Sequence, residues 1–565
     1  MIRNITAIVA AVLVCAGAAS AGSWSETFTF SPNAIEVRAA GRDGRPFDVV
    51  LAHGEQFGSD QELVVGYSEE PGRPLLPNWT FTIVIPQGMS VVRVEAEPQA
   101  VYEFPGRVSA MPAQPPVPVS SRELPQFVEP AEPVYASDAA WPGRYAEFGP
   151  TGSKSGFRLA TVTLHPVQYH PATGRLELAT RMTVRVRYEA DPAARRRRLT
   201  EDQLRATRPA VRALVANPGD IARCAPRTAS RDWGNVDCVI ITSSTLESTF
   251  APLVEWRTRQ GFRTEVRTTS WIYSNYSGRD NPERIRNFII DYYDNQGLQW
   301  VILGGDTNVV PCRRVRTYCA GETGNIPSDL YYADVDWSWD GDGDNIFGEY
   351  GQDTVDLYAD VNVGRASVGD AAQVQTFVNK VITHDQAPPL DYLRRILLVD
   401  AYLWPGYNET LSNDSIAAFL PTGWTARRIH RPPAGTMVRD SLNNGFQFAH
   451  LVGHGNDVGI YNNSNAFYHN SMIAGHTNGD RVGLVNSIAC YPGNFEYSDC
   501  LAENSHNCAT GGALAVIFNS RYGWGTPPVL GPSEKLDIRF YDFFFNRDSL
   551  PLGVTHHTSK EAYRA

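Results

Sequence analysis

Past its first two dozen residues the chain has no apolar run near the roughly 18 residues a helix needs to span a bilayer, so no transmembrane segment is expected in the mature chain. It also lacks positive charge overall. The formal net charge is −11, and nucleic-acid binding, which needs a basic face, is not expected. Histidines do not converge into a zinc set: His165 and His170 share one hairpin, and His556-His557 stand without companions. No organic cofactor is expected. One internal stretch lacks basic residues altogether. Between Asp334 and Asp360 there are nine carboxylates and no Lys or Arg, a composition that points to a cation as partner.

What is present is ordinary for a soluble chain: 42% hydrophobic and 20% charged residues over 565 positions. That length exceeds one core and implies several domains. Residues 1–21 carry one Arg, an apolar run and a small-residue end at Ala19-Ser20-Ala21. This is the layout of a secretory signal peptide, and the protein is expected to be secreted or displayed at the cell surface. Seven cysteines follow it, an odd count for an oxidising compartment. Local pairing of Cys224 with Cys238, Cys312 with Cys319 and Cys500 with Cys508 would leave Cys490 single, although spacing does not fix the pairing.

Residues 22–198 read as β-structure. PNWTFTIVIPQG (77–88) and VVRVEAEP (91–98) alternate apolar and polar residues, and 158–190 reads as a hairpin turning at Pro171-Ala172-Thr173-Gly174. Nine prolines between Pro105 and Pro142 exclude regular helix and predict an extended wrap over a neighbouring surface. The run Arg195-Arg196-Arg197-Arg198 is either a solvated charge run or an exposed link cut by a basic-specific peptidase. Residues 199–231 read as a linker. From Asp232 apolar β-branched runs alternate with helical stretches, which predicts two consecutive α/β subdomains, 232–387 and 391–565, with mainly parallel sheets.

Two apolar runs of the second subdomain end in reactive side chains, FQFAHLVG at His454 and VGLVNSIA at Cys490. Sites in open α/β sheets lie beyond the carboxyl ends of strands. A thiol there is a nucleophile, an imidazole is its acid–base partner, and Gly455 with the Cys490 N–H supplies two oxyanion donors. A buried small cysteine and a satisfied turn histidine are the plain alternatives for each residue alone.

LVGHG (451–455) and SIACYPGNF (487–495) resemble the gingipain-like cysteine peptidases of the caspase-like clan. VILGGDTNVVP (301–311), IPSDLYY (326–332), DVNVGRASV (360–368) and CLAE…GGALAVIFNS (500–520) follow in that family's order, and GRPLLP…IVIPQG (72–88) and YHPATGRLEL (169–178) resemble its propeptide. The resemblance implies a β-rich propeptide, 22–198, acting as an intramolecular inhibitor. After it comes a caspase-like α/β catalytic domain that cleaves protein or peptide substrates. It implies catalytic Cys490 and His454, and a preference for Arg or Lys set by a carboxylate at Glu409 with Trp524 flanking the pocket. A third catalytic acid has no clear match: its place falls near Tyr402, and Asp400 and Asp457 are nearby substitutes.

Asp340, Asp342, Asp344 and Glu349 place hard oxygen ligands along a glycine-rich loop, suited to a structural Ca²⁺ and distinct from a helix–loop–helix calcium hand. The rival to the peptidase reading is a non-catalytic, calcium-stabilised surface or adhesion protein on the same scaffold. An exported thiol amidase or transpeptidase would share the chemistry and differ in acceptor.

Overall fold

A computed structural model describes residues 21–42, 45–52, 64–68, 70–229, 236–547 and 550–563. The leader read at 1–21, with Cys15, lies outside the described residues except for its last position.

The N-terminal module packs two antiparallel sheets face to face. One holds the strands Gly22–Thr29, Met89–Glu103, Val167–His170 and Arg175–Ala190; the other holds Val64–Tyr67, Pro77–Ile85, Ala146–Lys154 and Phe157–Leu164. Along Arg175–Ala190 the residues Leu176, Leu178, Met182, Val184, Val186 and Tyr188 turn inward to meet Trp79, Ile83 and Val162 of the opposite sheet. That is the two-residue period of a half-buried strand. The hairpin expected over 158–190 is shorter than that. Val167–His170 pairs with Arg175–Leu178 around Gly174 (φ +71°), whereas Phe157–Leu164 crosses at His165-Pro166 into the other sheet and pairs with Pro77–Ile85.

The stretch expected as a linker is structured. Thr200 caps the helix Glu201–Leu214 through a reciprocal bond with Gln203. The helix lays Leu204, Val211 and Leu214 on the core of the first α/β subdomain. The basic run is anchored too. Arg195, Arg196 and Arg198 are exposed, but Arg197 pairs with Asp336 and Asp294 and donates to the Val335 carbonyl at 2.9 Å.

Two parallel sheets follow, as expected. The first runs Thr264–Thr268, Cys238–Thr242, Trp300–Gly304, Asn362–Ala366. The second runs Thr425–His430, Arg395–Asp400, Phe448–Val452, Leu484–Ser487, Ala515–Phe518. Central strands such as Phe448–Val452 are buried along their whole length because helices cover both faces. The second sheet changes direction of growth between Arg395–Asp400 and Phe448–Val452, which opens a crevice at the carboxyl ends of the strands.

The seven described cysteines form no disulfide with one another, so the local pairs do not form, and geometry explains why. Cys312 and Cys319 flank and end the extended strand Arg313–Cys319, which holds them about 20 Å apart. Cys500 and Cys508 sit at opposite ends of the helix Leu501–Asn507, about 12 Å apart. Cys224 ends a short helix with its sulfur towards the Val84 carbonyl, while Cys238 opens a buried sheet strand. A disulfide needs Cα atoms within roughly 7 Å.

Candidate active site

Phe448–Val452 and Leu484–Ser487 are adjacent parallel strands with Leu451 opposite Ser487. His454 and Cys490 each lie three residues beyond that pair, so both leave the sheet at the same level. Gly455 closes the gap between the two segments. A Cβ built there would sit 2.6 Å from the Cys490 carbonyl oxygen, 2.7 Å from the Ala489 Cβ and 3.0 Å from the Cys490 nitrogen. Among the described residues no hydrogen bond within the chain claims the Cys490 N–H.

The proline-rich stretch runs through this crevice. Val117-Pro118 pairs antiparallel with Trp524-Gly525, and the Val119 N–H donates to the Gly523 carbonyl at 2.7 Å. The Ser120 N–H then donates to Cys490 Sγ at 3.1 Å, and the His454 Nδ1 meets the Val119 carbonyl oxygen. Thiol and imidazole thus address the two ends of one peptide bond, Val119–Ser120. Past it, the Trp404 Nε1–H donates to the Ser121 carbonyl at 2.8 Å. The extended wrap expected from the prolines therefore passes over Cys490 itself.

This peptide sits the wrong way round for hydrolysis. Attack requires sulfur on the carbonyl carbon and imidazole beside the amide nitrogen. Here the amide N–H is spent on sulfur and the carbonyl on the imidazole, so the bond covers the site without being poised to break. The contact on the Val119 oxygen requires the proton on Nδ1; Nε2 is buried and, among the described residues, makes no hydrogen bond of good geometry. Cys490 is 0% exposed and His454 4%. Burial pushes the thiol above its usual 9.0 and the imidazole below its usual 6.5. Both groups are therefore neutral beneath the cover. The Ser120 hydroxyl, followed by the Gly523 and Ser120 N–H groups, opposes the first shift, and the Val119 carbonyl opposes the second.

The thiolate is the species that alkylates, and its pKa is raised in the covered site. The iodoacetamide reaction of Cys490 should therefore reach half its limiting rate above pH 9 in the intact chain, and at lower pH once residues 22–198 are released. Coincident pH profiles would show that burial does not control the thiol.

Neither substitute for a third acid reaches His454. Asp400 accepts from the buried Asn413 Nδ2, and Asp457 accepts from Asn494 Nδ2 at 2.7 Å. Tyr402 lies under the Arg431 guanidinium, 5.4 Å from its ring centre. Besides Val119, the Leu403 carbonyl also favours the protonated imidazole.

Glu409 is 3% exposed, and one oxygen of its carboxylate accepts from the Arg431 guanidinium. Trp524 lies beside the crossing segment, its ring 5.7 Å from Tyr522, which in turn packs 5.1 Å from Tyr491. Residues that sequence reasoning missed are Leu403, Trp404, Ile488 and Gly523, which build the cleft around Val119 and Cys490. The apolar Leu403-Trp404 at the end of the strand Arg395–Asp400 was the available signal.

The acidic loop brings its carboxylates together. Oxygens of Asp342, Asp344 and Glu349 lie within 4.8 Å of one another, as do those of Asp340, Asp342 and Asp353. Asp353 was not foreseen. It accepts from the Gly341 and Glu349 N–H groups and so ties the loop's two ends. Asp340 is also paired with Arg279. Desolvation, then the charges of Asp344 and Asp342, raise the pKa of Glu349.

Comparison with known proteins places the chain. Peptidase family C25 matches residues 231–565, and the family's propeptide matches residues 64–207. The chain belongs to peptidase family C25. Lys-gingipain of Porphyromonas gingivalis is 24% identical over 515 residues, 85% of this chain and 28% of that protein. Gingipain R2 of the same organism is 22% identical over 422 residues, 72% of this chain and 52% of that one. The chain thus spans between about a quarter and a half of these C25 relatives. The crystal structure of the Arg-specific cysteine proteinase gingipain R superposes with a TM-score of 0.46 at 19% identity, over 60% of this chain and 76% of that one.

Proposed function

We infer that this C25 chain is an exported cysteine endopeptidase made as a zymogen, with residues 22–198 as its inhibitor. One observation carries this reading: a single peptide bond of the N-terminal module lies on both Cys490 and His454. Once the segment leaves, a substrate entering along Gly523–Gly525 would present its carbonyl carbon to sulfur. His454 takes the Cys490 thiol proton, the thiolate sulfur bonds the carbonyl carbon, and the C–N bond breaks as the adduct collapses. His454 gives its Nδ1 proton to the departing amine, and the Gly455 and Cys490 N–H groups hold the oxyanion. Water then adds to the thioester, His454 takes its proton, and acid and thiol are released. Export rests on residues 1–21. Among the described residues no helix is long and apolar enough to cross a membrane.

Cleavage within Arg195–Arg198 would separate inhibitor from catalyst, but Arg197 must first leave Asp336 and Asp294 or remain behind as a tether. The test is to express the full chain, follow cutting in that run, and assay peptide amides with and without a thiol alkylator. Alkylator-sensitive hydrolysis that appears with the cut supports the reading. Hydrolysis of no peptide amide favours the non-catalytic scaffold, for which the absence of a carboxylate on His454 is the supporting observation.

The acidic loop is assigned a structural Ca²⁺ held by Asp342, Asp344 and Glu349, with Asp340 and Asp353 adjacent. Like charges packed this closely repel, and a divalent cation relieves that. Millimolar Ca²⁺ should raise the melting temperature of the intact chain by several degrees through preferential binding to the folded state. The pair Asp342→Asn and Asp344→Asn should abolish the shift. An equal shift in that variant would remove the ion from this loop.

A further inference from the structure

The side chain that enters the site in the covered chain is Val119, although Arg122 lies three residues further along the same segment. Val119 is 0% exposed and shares one packed apolar cluster with Leu403, Trp404, Val452, Ile488 and Cys490. Arg122 stays exposed, its guanidinium donating to Ser464 Oγ at 3.0 Å. The backbone fixes which position Val119 represents. Val117-Pro118 pairs with Trp524-Gly525 and the Val119 N–H is on the Gly523 carbonyl, so the peptide bond that follows Val119 is the one brought over Cys490 and His454, although it is turned away from the attack geometry. Val119 therefore occupies the place of the residue before a substrate's scissile bond.

Among the described residues, the two acids that act on Tyr407 of this cluster are each already partnered. The Glu409 carboxylate is held by Arg431. The other buried acid of this region, Glu534, accepts from the Tyr407 hydroxyl at 2.7 and 2.8 Å and from the Gly531 N–H at 2.9 Å. Burial raises its pKa, away from the charged form. An ammonium or guanidinium driven into this cluster would lose its water and gain no partner. An aliphatic side chain would lose only its contact with solvent. The pocket also has a fixed wall. Trp404 is 1% exposed and lies against Gly525, where a Cβ would come 2.2 Å from the indole.

We propose that the pocket preceding the scissile bond selects a small aliphatic residue such as valine, and not Arg or Lys, with Leu403 and Trp404 determining the choice. The assignment rests on the reading of Cys490 and His454 as a peptidase site. It is tested first in the intact chain by the iodoacetamide reaction of Cys490. Val119→Arg should raise the rate at least tenfold above the parent chain, while Val119→Ala stays within threefold. Protection of Cys490 in the Val119→Arg variant equal to that in the parent chain would overturn the proposal. Cooperative melting of each variant separates release of the segment from general unfolding. The second measurement uses the processed, active protein on amides differing only before the cut. Valine should exceed arginine and lysine at least tenfold in kcat/KM, and equal or better cleavage after arginine or lysine overturns the proposal. If no amide is cut, the peptidase reading falls, and the alkylation comparison still decides what the pocket accepts.

Discussion

Replacing Cys490 by Ala should lower peptide hydrolysis by a factor on the order of 10⁴ or more, because in the proposed mechanism the sulfur forms the bond that opens the substrate amide. His454→Ala should cost on the order of 10² to 10⁴, the span of a single proton-transfer group. The two variants separate in a second readout. His454→Ala keeps the thiol, so Cys490 in the processed chain should still alkylate at alkaline pH while hydrolysis is lost. Cys490→Ala removes both. Because among the described residues no carboxylate is hydrogen-bonded to the imidazole, Asp400→Asn and Asp457→Asn should leave kcat within about tenfold of the parent, a far smaller loss than that expected at Cys490 or His454. Hydrolysis surviving in Cys490→Ala to within tenfold would end the assignment. Cutting within Arg195–Arg198 that continues in that variant would mean that another protease performs it.

The sequence carried the second sheet and its site further than it carried the module that covers them. LVGHG and NSIAC end buried strands that turn out to be neighbours, and their equal offset from the Leu451–Ser487 pair follows from parallel registration. Chemistry could be placed there because strand ends are set by local apolar runs. The wrap from Pro105 to Pro142 was legible as extended backbone, since proline forbids the alternatives, but its destination was not. Which valine meets the sulfur depends on pairing with Trp524-Gly525, some four hundred residues away, and no local pattern encodes that. The same limit applies to Glu409. Its acidity was visible, but the Arg431 that neutralises it lies across a strand end. Cysteine spacing misled for a related reason: short separations along a chain become long ones when the intervening residues form a strand or a helix.

Gly455→Ala should reduce kcat by about 10² or more while the chain still folds. The backbone at Gly455 is not left-handed, so an L-residue is allowed by its dihedrals and the obstacle is purely one of space. Its new methyl would lie 2.6 Å from the Cys490 carbonyl oxygen and 2.7 Å from the Ala489 Cβ. Neither neighbour is the free end of a flexible side chain. Ala489 is fully buried in the core of the second sheet, and the Cys490 carbonyl is main chain. The segments carrying His454 and Cys490 must therefore part, by several tenths of an ångström or more, at the place where the two oxyanion donors converge. Displacing one such donor typically costs about 10² to 10³ in kcat, and a misplacement near 1 Å costs about 10² through geometry alone. Crowding of this kind typically costs about 1–3 kcal/mol of stability, which cooperative melting would register as a modest fall. KM should change less than kcat, since the atoms nearest the added methyl belong to Ala489 and Cys490 and not to the strand Trp524-Gly525 proposed to align the substrate. Activity of Gly455→Ala within threefold of the parent would show that the oxyanion is held elsewhere, and that the glycine serves only to let two strands pass.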